Sequence, residues 1–405
     1  MVTFGEVARN VKNTVDRETC DLDRYIAGEH MKTDDLHIRE WGTIGDDYLG
    51  PAFHRKFKKG QILYGSRRTY LRKVAIAPFD GICANTTFVI EPNDDVMNPD
   101  LLPFLMQSEG FTQYSIQNSK GSTNPYIIWR DLDAYTFPLP PIDEQRRIAE
   151  ILWAAEDVIV KNEAFVAEVE HYKQLMMRDL FSKGIGHEEF NNKENIETLP
   201  RGWKDLSLGD VLKIYHGYAF KSECFSETIT GKPIVVGIGN FCYSGGFRFG
   251  ETRLKEYSGD YPKEFELHPG DILLAMTCQT PLGEILGVPG IIPNDGRIYL
   301  HNQRLGKVEL TRSDINRNFL YWLFVSKKFN YHLWKTATGT KVLHTSPDKI
   351  ESFTFGLPPL PEQRQIAAVL SSIDDAIVAA RASVEASKAL KMRLINQLLS
   401  EGDTV

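Results

Sequence analysis

Pro140-Pro141-Ile142-Asp143-Glu144-Gln145-Arg146-Arg147-Ile148-Ala149 returns 218 residues later as Pro358-Pro359-Leu360-Pro361-Glu362-Gln363-Arg364-Gln365-Ile366-Ala367. Around it, Asn98–Gly184 lies over Asn316–Gly402 without a gap, and 14 of the 26 positions from Tyr135 to Val160 match their partners. An echo of this length at one period means that the chain is built twice, and the repeat governs every other reading of the fold. Two further echoes keep the same order. Phe4-Gly5-Glu6-Val7 matches Leu208-Gly209-Asp210-Val211 at offset 204, and Lys59-Gly60-Gln61-Ile62-Leu63 matches Pro269-Gly270-Asp271-Ile272-Leu273 at offset 210. Constant order with drifting offset is what duplicated domains with diverged loops give. A two-fold protein with two variable halves suits a two-part ligand, and double-helical DNA is the first to consider.

Within each half the apolar pattern changes midway. Strand-like runs come first: Gln61–Tyr64, Lys73–Ala77 and Thr87–Ile90 in one half, Asp271–Ala275 and Gly306–Leu310 in the other. Helices are expected at Pro99–Tyr114 and Arg317–Leu333, followed by Gly-containing loops (119–124 and 337–342). Short strands at Tyr135–Leu139 and Phe353–Leu357 then lead into the double prolines. After the prolines, Ile148, Leu152, Ala155, Ile159, Val166, Val169, Met176 and Leu180 recur at three- and four-residue spacing, skipping Asn162 and Lys173. Ile366, Leu370, Ile373, Ile377, Val384, Leu394 and Leu398 repeat the frame, and Gly184 and Gly402 mark the ends. Some forty residues at about 1.5 Å each make a rod of roughly 60 Å, which needs an apolar partner. The expected fold is α+β: two tandem pseudo-symmetric α/β domains, each followed by a long helix, with the helices pairing as an antiparallel coiled-coil spacer. The competing arrangement folds each rod onto its own domain. The expected boundaries are 1–140 and 201–358 for the domains, 141–184 and 359–405 for the helices, and 185–200 for a linker.

The 405 residues, 42% apolar and 25% charged, suffice for two ordinary soluble domains, and no apolar run is long enough to span a bilayer. The N-terminus has no signal-peptide pattern, and Cys20, Cys83, Cys224, Cys242 and Cys278 form no Cys-x-x-Cys pair. They read as buried thiols in the reducing cytosol of a cytoplasmic protein, with no disulfide framework or zinc site. The net charge of −7 is unevenly spread. Arg55–Lys73 carries eight Lys/Arg and no acid, Asp16–Asp47 ten acids against four bases, and Ile315–Pro347 five Lys/Arg, two His and seven aromatics without an acid. Basic faces on an acidic chain can still meet phosphates, because the local field decides encounter.

Catalytic signatures are absent. There is no phosphate-binding Gly-x-x-x-x-Gly-Lys-Ser/Thr loop, no His-Glu-x-x-His and no Glu-x-Lys. Gly237-Ile238-Gly239-Asn240 lacks the third glycine of a dinucleotide fingerprint, and Asn124-Pro125-Tyr126 lacks one proline of the amino-methylating motif. The chain reads as one that recognises and does not react.

The duplicated Pro-Pro-x-x-Glu-Gln-Arg-x-Ile-Ala before a long helix, the Leu199-Pro200-Arg201-Gly202-Trp203 opening of the second half, and the Leu-Gly-Asp-Val and Gly-Asp-Ile-Leu echoes resemble the specificity (S) subunit of Type I restriction–modification systems. The resemblance covers nearly the whole chain. It implies two target-recognition domains that each read part of a split double-stranded DNA site, and helices that separate them and dock two methyltransferase subunits. Those subunits bind S-adenosylmethionine and methylate adenine N6, and ATP-using, Mg-dependent restriction/translocase subunits complete the endonuclease. The S chain itself needs no cofactor, no metal and no membrane. The first half departs from the pattern in lacking the Leu-Pro-x-Gly-Trp lead-in, so its opening strand is either trimmed or braced by the C-terminal rod. Three other readings stay open: a specificity chain serving a lone methyltransferase or related defence system, a nuclease or methyltransferase in its own right, and a coiled-coil scaffold without a DNA role.

DNA-contact candidates in the first half are Tyr64, Arg67, Arg68, Tyr70, Arg72 and Lys73, whose forked and aromatic groups suit guanine edges or phosphate. Lys120, Ser122, Thr123 and Asn124 lie in a polar loop that phosphate could approach. The second half offers Tyr215, His216, Tyr218 and Lys221, then Thr277 and Gln279 at the position of the arginines, and Thr340, Lys341 and His344. Tyr321, Trp322, Phe324, Phe329, Tyr331 and Trp334 read as core. Glu144, Gln145, Arg146 and their twins Glu362, Gln363, Arg364 read either as helix-start chemistry or as a joint between domain, rod and partner subunit.

Overall fold

The computed structural model describes residues 1–16, 19–46, 49–191, 199–250 and 253–400. The chain divides into two compact units, one made of Met1–Phe165 with the residues from Ala380 on, the other of Val166–Ala379.

In the first unit, Ala8–Val11, Thr87–Pro92, Ile62–Gly65 and Val74–Ile76 form a four-stranded antiparallel sheet in that spatial order. Side chains alternate across a strand, so Ile62 and Tyr64 join Val74, Phe88 and Ile90 in one core, while Leu63 joins Ala75 and Val89 in another. Burial on both faces is why these strands read as unbroken apolar runs. The second core is closed by Ile26, Phe57 and Cys83 from a smaller sheet, Gly42–Thr43, Arg24–Ile26, Gly81–Ala84 and Phe53–Phe57.

The second unit repeats the plan. Leu212–His216, Leu305–Leu310, Ile272–Ala275 and Pro289–Ile291 form the four-stranded sheet in the same order. A five-stranded sheet (Phe225–Ser226, Glu256–Tyr257, Ile234–Val236, Tyr299–His301, Glu266–Leu267) accompanies it. The Gly-Glu-Val and Gly-Asp-Val echoes have a local cause. The backbone N–H of Thr3 donates to Glu6 at 2.6 Å and that of Ser207 to Asp210 at 2.8 Å, closing the same short turn in each unit. The opening strand of the first unit is present but short: Val2–Thr3 pairs with Thr136–Phe137, whereas Lys204–Ser207 pairs with Thr354–Leu357.

The expected helices at Pro99–Tyr114 and Arg317–Leu333 are each broken in two: Leu102–Gln107 then Glu109–Gln117, and Arg317–Val325 then Lys327–Thr336. The break falls on Ser108 and its repeat mate Ser326, both in extended backbone. Their hydroxyls accept from the N–H of Phe111 and Phe329, each at 3.3 Å, so each serine ends one helix and caps the next.

The long helices run Ile142–Lys183 and Leu360–Ser400. The first ends at Gly184, whose φ of +68° suits a residue without a Cβ. Gly402 and residues 192–198 of the expected linker lie outside the described residues. In the first unit Ile148, Ala149 and Leu152 of the first long helix share a core with Ile395 of the second. In the second unit Met177 and Leu180 share a core with Ile366, Ala367 and Leu370. Polar contacts give the direction of pairing: Glu156 meets Lys391 and Asn162 meets Ser387 in the first unit, and Lys173 meets Asp374 in the second. Residue numbers rise on one helix as they fall on the other, so the pairing within each unit is antiparallel. Lys173, skipped as a break in the apolar seam, is in it and only 5% exposed.

Candidate nucleic-acid interface

The two stretches nominated separately in the first half meet in space. Arg67 bridges to Tyr126, and Tyr126 bridges back to Lys120, so the turn after Ile62–Gly65 and the loop 120–126 form one edge. Arg68 Nε donates to Asn124 Oδ1 at 3.1 Å, and Thr69 Oγ1 lies 3.1 Å from Ser119 Oγ. Arg67, Arg68, Tyr70, Ser122, Thr123, Asn124 and Tyr126 are exposed there. Lys120 is also exposed, with its Nζ 2.6 Å from Asp131.

Three nominated residues play other parts. Tyr64 is core, packed edge-on to Phe111, and burial pushes its phenol up to about 12. It follows a strict in–out alternation, so its flanking position beside the arginines was misleading. Arg72 is an internal tie: its guanidinium donates to Asp34 at 2.7 Å, Glu109 at 2.8 Å and the Gln107 carbonyl at 2.7 Å. Lys73 donates to the Gly28 carbonyl. Arg68 and Arg72 both have φ near +50° (50° and 51°), a strained state for residues with a Cβ. The Arg72 ties hold the turn in that state, and the turn presents Arg67, Arg68 and Tyr70.

The second unit builds the same edge from the same offsets. Thr277–Cys278 pairs with Leu343–His344, the counterpart of Arg67 with Tyr126, and Thr338 bridges to His344 as Lys120 does to Tyr126. Thr277 is buried, and its hydroxyl lies 3.1 Å from His344 Nδ1; it orients the histidine and is not a free contact. Gln279, Thr340, Lys341 and His344 are exposed. Tyr215 and His216 are exposed at the end of a strand that faces Lys307 and Gly306, whose neighbours across the sheet are Leu273 and Leu274, so they share the sheet end that leads into Thr277. Tyr218 packs against Phe220 and Phe265, and the backbone N–H of Lys221 donates to Tyr257; both belong to the aromatic cluster beside the five-stranded sheet.

The assignment of all six aromatics in 321–334 to the core is corrected by the structure. Trp322, Phe324 and Phe329 are buried, but Tyr331 is 58% and Trp334 44% exposed. Their helix turns these two outward, and its Ser326 break shifts the face that a single helix would have presented. Arg130 and Arg304, both exposed, were not among the candidates. Arg304 precedes the strand Leu305–Leu310, and its carbonyl accepts from the N–H of Met276, next to Thr277. Neither lies in a charge run, so no pattern marked them.

The duplicated Glu-Gln-Arg splits into three roles. Gln145 Nε2 donates to the carbonyls of Val96 (3.1 Å) and Pro140 (2.9 Å), and its Oε1 accepts from the Asn98 N–H at 2.8 Å. Gln363 makes the same three bonds, to Asp314 (3.0 Å), Pro358 (2.9 Å) and Asn316 (2.8 Å). Both are 1% exposed, so each is an internal latch between domain and helix. Glu362 accepts from the Ile185 N–H (3.0 Å) and the Trp203 indole (3.0 Å) and lies 2.8 Å from His187 Nε2, whereas its twin Glu144 pairs with Arg147 at 2.8 Å. Arg146 and Arg364 are exposed, and each lines a shallow cleft, of 360 and 300 Å³, at repeat-related positions.

Among the described residues one trio has metal-ligand spacing, Asp35, His37 and Glu156, with ligand atoms within 4.8 Å of one another. Cations already fill that role. Lys391 Nζ lies 2.8 Å from Glu156, Arg39 pairs with Asp35, and His37 Nδ1 lies 3.2 Å from Glu156. The carboxylates of Asp35 and Glu156, 3.5 and 3.2 Å from Nδ1, raise His37 to about 9 against the effect of burial.

The profile described as "Type I restriction modification DNA specificity domain" matches residues 25–170 and 200–385. The chain is 29% identical over 328 residues to the Type I restriction enzyme MjaVIII specificity subunit of Methanocaldococcus jannaschii, covering 79% of this chain and 74% of that one. It is 25% identical over 388 residues to the putative type I restriction enzyme MjaX specificity subunit of the same organism, covering 92% and 85%. In fold it is similar to a chain from a structure on complex assembly and conformational transition of the type I R-M system, with a TM-score of 0.60, 21% identity, and 99% and 96% of the two chains covered.

Proposed function

Since the chain belongs to the family of the type I restriction–modification DNA specificity domain, we propose that it is the sequence-reading subunit of such a complex: residues 1–140 read one half of a split DNA target and residues 201–358 the other. One observation carries this. The same two-loop edge occurs in both units at the same offsets, yet its exposed side chains differ: Arg67, Arg68 and Tyr70 in one, Gln279, Lys341 and His344 in the other. A constant frame with variable tips is what two independent readers of different sequences require. The long helices would separate the readers and, through the exposed Arg146 and Arg364, meet two methyltransferase subunits. S-adenosylmethionine, ATP and Mg would belong to those and to the restriction/translocase subunits, so this chain acts without catalysis or a cofactor of its own. It would work in the cytoplasm; no helix among the described residues is long and apolar enough to cross a membrane.

Methylome sequencing of the source strain with and without the gene tests the reading. Loss of one split adenine-methylation motif on deletion is expected; a methylome that does not change would overturn it.

A further inference from the structure

At the edge of the second unit, four large apolar side chains stand in solvent: Leu282 at 71% exposure, Tyr331 at 58%, Trp334 at 44% and Val342 at 40%. The loop that carries Leu282 is held on several sides. Trp334 Nε1 donates to the Pro281 carbonyl at 3.2 Å, Asn330 Nδ2 to the carbonyls of Gly283 (3.0 Å) and Leu286 (2.9 Å), and Thr280 Oγ1 to Glu284. Gly283, at φ +68°, brings the backbone so close to Trp334 that a Cβ there would lie 2.7 Å from Cδ1. A leucine this exposed at the tip of a braced loop faces a steady loss of favourable burial, and a partner that covers it removes that loss.

The repeat indicates which partner. In the first unit two of the corresponding positions are polar, Gln113 for Tyr331 and Asn124 for Val342; the half-buried Ile116 stands for Trp334, and the turn Arg67–Arg72 for the segment 277–282. A surface for a protein bound twice would be the same in both copies, and this one is not. It varies where the DNA-reading tips vary, and Lys335 and Lys341 stand exposed beside it to meet phosphate. Neither Leu282 nor Val342 can donate to a guanine edge. The feature of the major groove that an aliphatic side chain reads is the 5-methyl group of thymine.

We propose that Leu282 is a specificity-determining residue of the second unit, whose side chain packs on a thymine methyl group in that unit's half-site with Trp334 bracing its loop. The inference rests on the proposed function and adds to it the chemistry of one contact.

The test uses the complete complex with its methyltransferase subunits on duplexes carrying the split site. Each thymine of the two half-sites is replaced singly by deoxyuridine, which lacks only the methyl group. One position in one half-site should slow methylation by the wild-type complex roughly tenfold. Leu282→Ala should lose a similar factor on the unmodified duplex and show no further loss with deoxyuridine at that position, while Leu282→Met keeps the sensitivity. A wild-type complex indifferent to every deoxyuridine, or losses that multiply in Leu282→Ala at every position, would overturn the inference alone. Failure of Leu282→Ala to assemble would mark the patch as a protein interface and overturn it too. Absence of any split methylated site would overturn the proposed function along with it.

Discussion

Lys391 and Glu156 are 2% and 3% exposed, with Nζ and Oε2 2.8 Å apart, and the repeat produces their mates with roles exchanged, since Lys173 and Asp374 stand 218 residues from them. Lys391 also donates to the Asp34 carbonyl at 3.0 Å, and Lys173 lies 4.4 Å from the centre of the Trp322 ring. Removing one member of a buried pair leaves the other charged and unmatched, which costs about 3–5 kcal/mol. Lys391→Met should lower the stability read by chemical denaturation by that amount, and adding Glu156→Leu should recover much of it. Lys173→Met should cost less, because Asp374 is 40% exposed and can rehydrate. The glutamine latches allow a similar comparison. Gln363→Ala strands the N–H of Asn316 and two carbonyls and should cost about 2–3 kcal/mol by the same measurement.

At the scale of elements, the loop around Asp35 and His37 is tied to the first long helix by charge. Burial alone would raise the Asp35 carboxyl, yet hydrogen bonds from His37 and the charge of Arg39 hold it down at about 2. His37 rises from 6.5 to about 9 on folding, so its contribution is complete below pH 6.5 and is lost as pH climbs through about 9. Urea midpoints of the wild type should fall across that window, and those of His37→Gln should fall less. The ring is 39% exposed, so the difference is small. The broken helices at Ser108 and Ser326 show the limit of periodicity at this scale. The apolar spacing runs on through the serine, and only the competition of its hydroxyl for the following N–H reveals the break.

For the whole molecule, independent reading predicts independent change. Replacing residues 1–140 by the corresponding part of another family member should alter one half of the methylated motif; a change in both halves would refute independence. Arg67→Ala with Arg68→Ala should weaken DNA binding by the complex and flatten its salt dependence, by about 0.9 in log–log slope for each phosphate that these arginines neutralise. Duplication, the strand-rich first part of each half and the two long helices were legible from residue spacing, because two copies of one chain record which positions packing constrains, and the family was legible from the resemblance of its motifs. Which nominated residues reach solvent was only half legible. Arg67, Arg68, Asn124, Gln279 and Lys341 do, whereas Tyr64 and Thr277 are buried and Arg72 is tied within the fold. The sequence by itself determined that the molecule is made twice and where the two long helices begin, since those follow from periodicity and capping along the chain. The tertiary structure alone decided that two distant loops form one edge in each unit, that the repeated glutamines are latches, and that Leu282 and Trp334 face outward. Those are facts of non-local packing, which spacing along a chain does not encode.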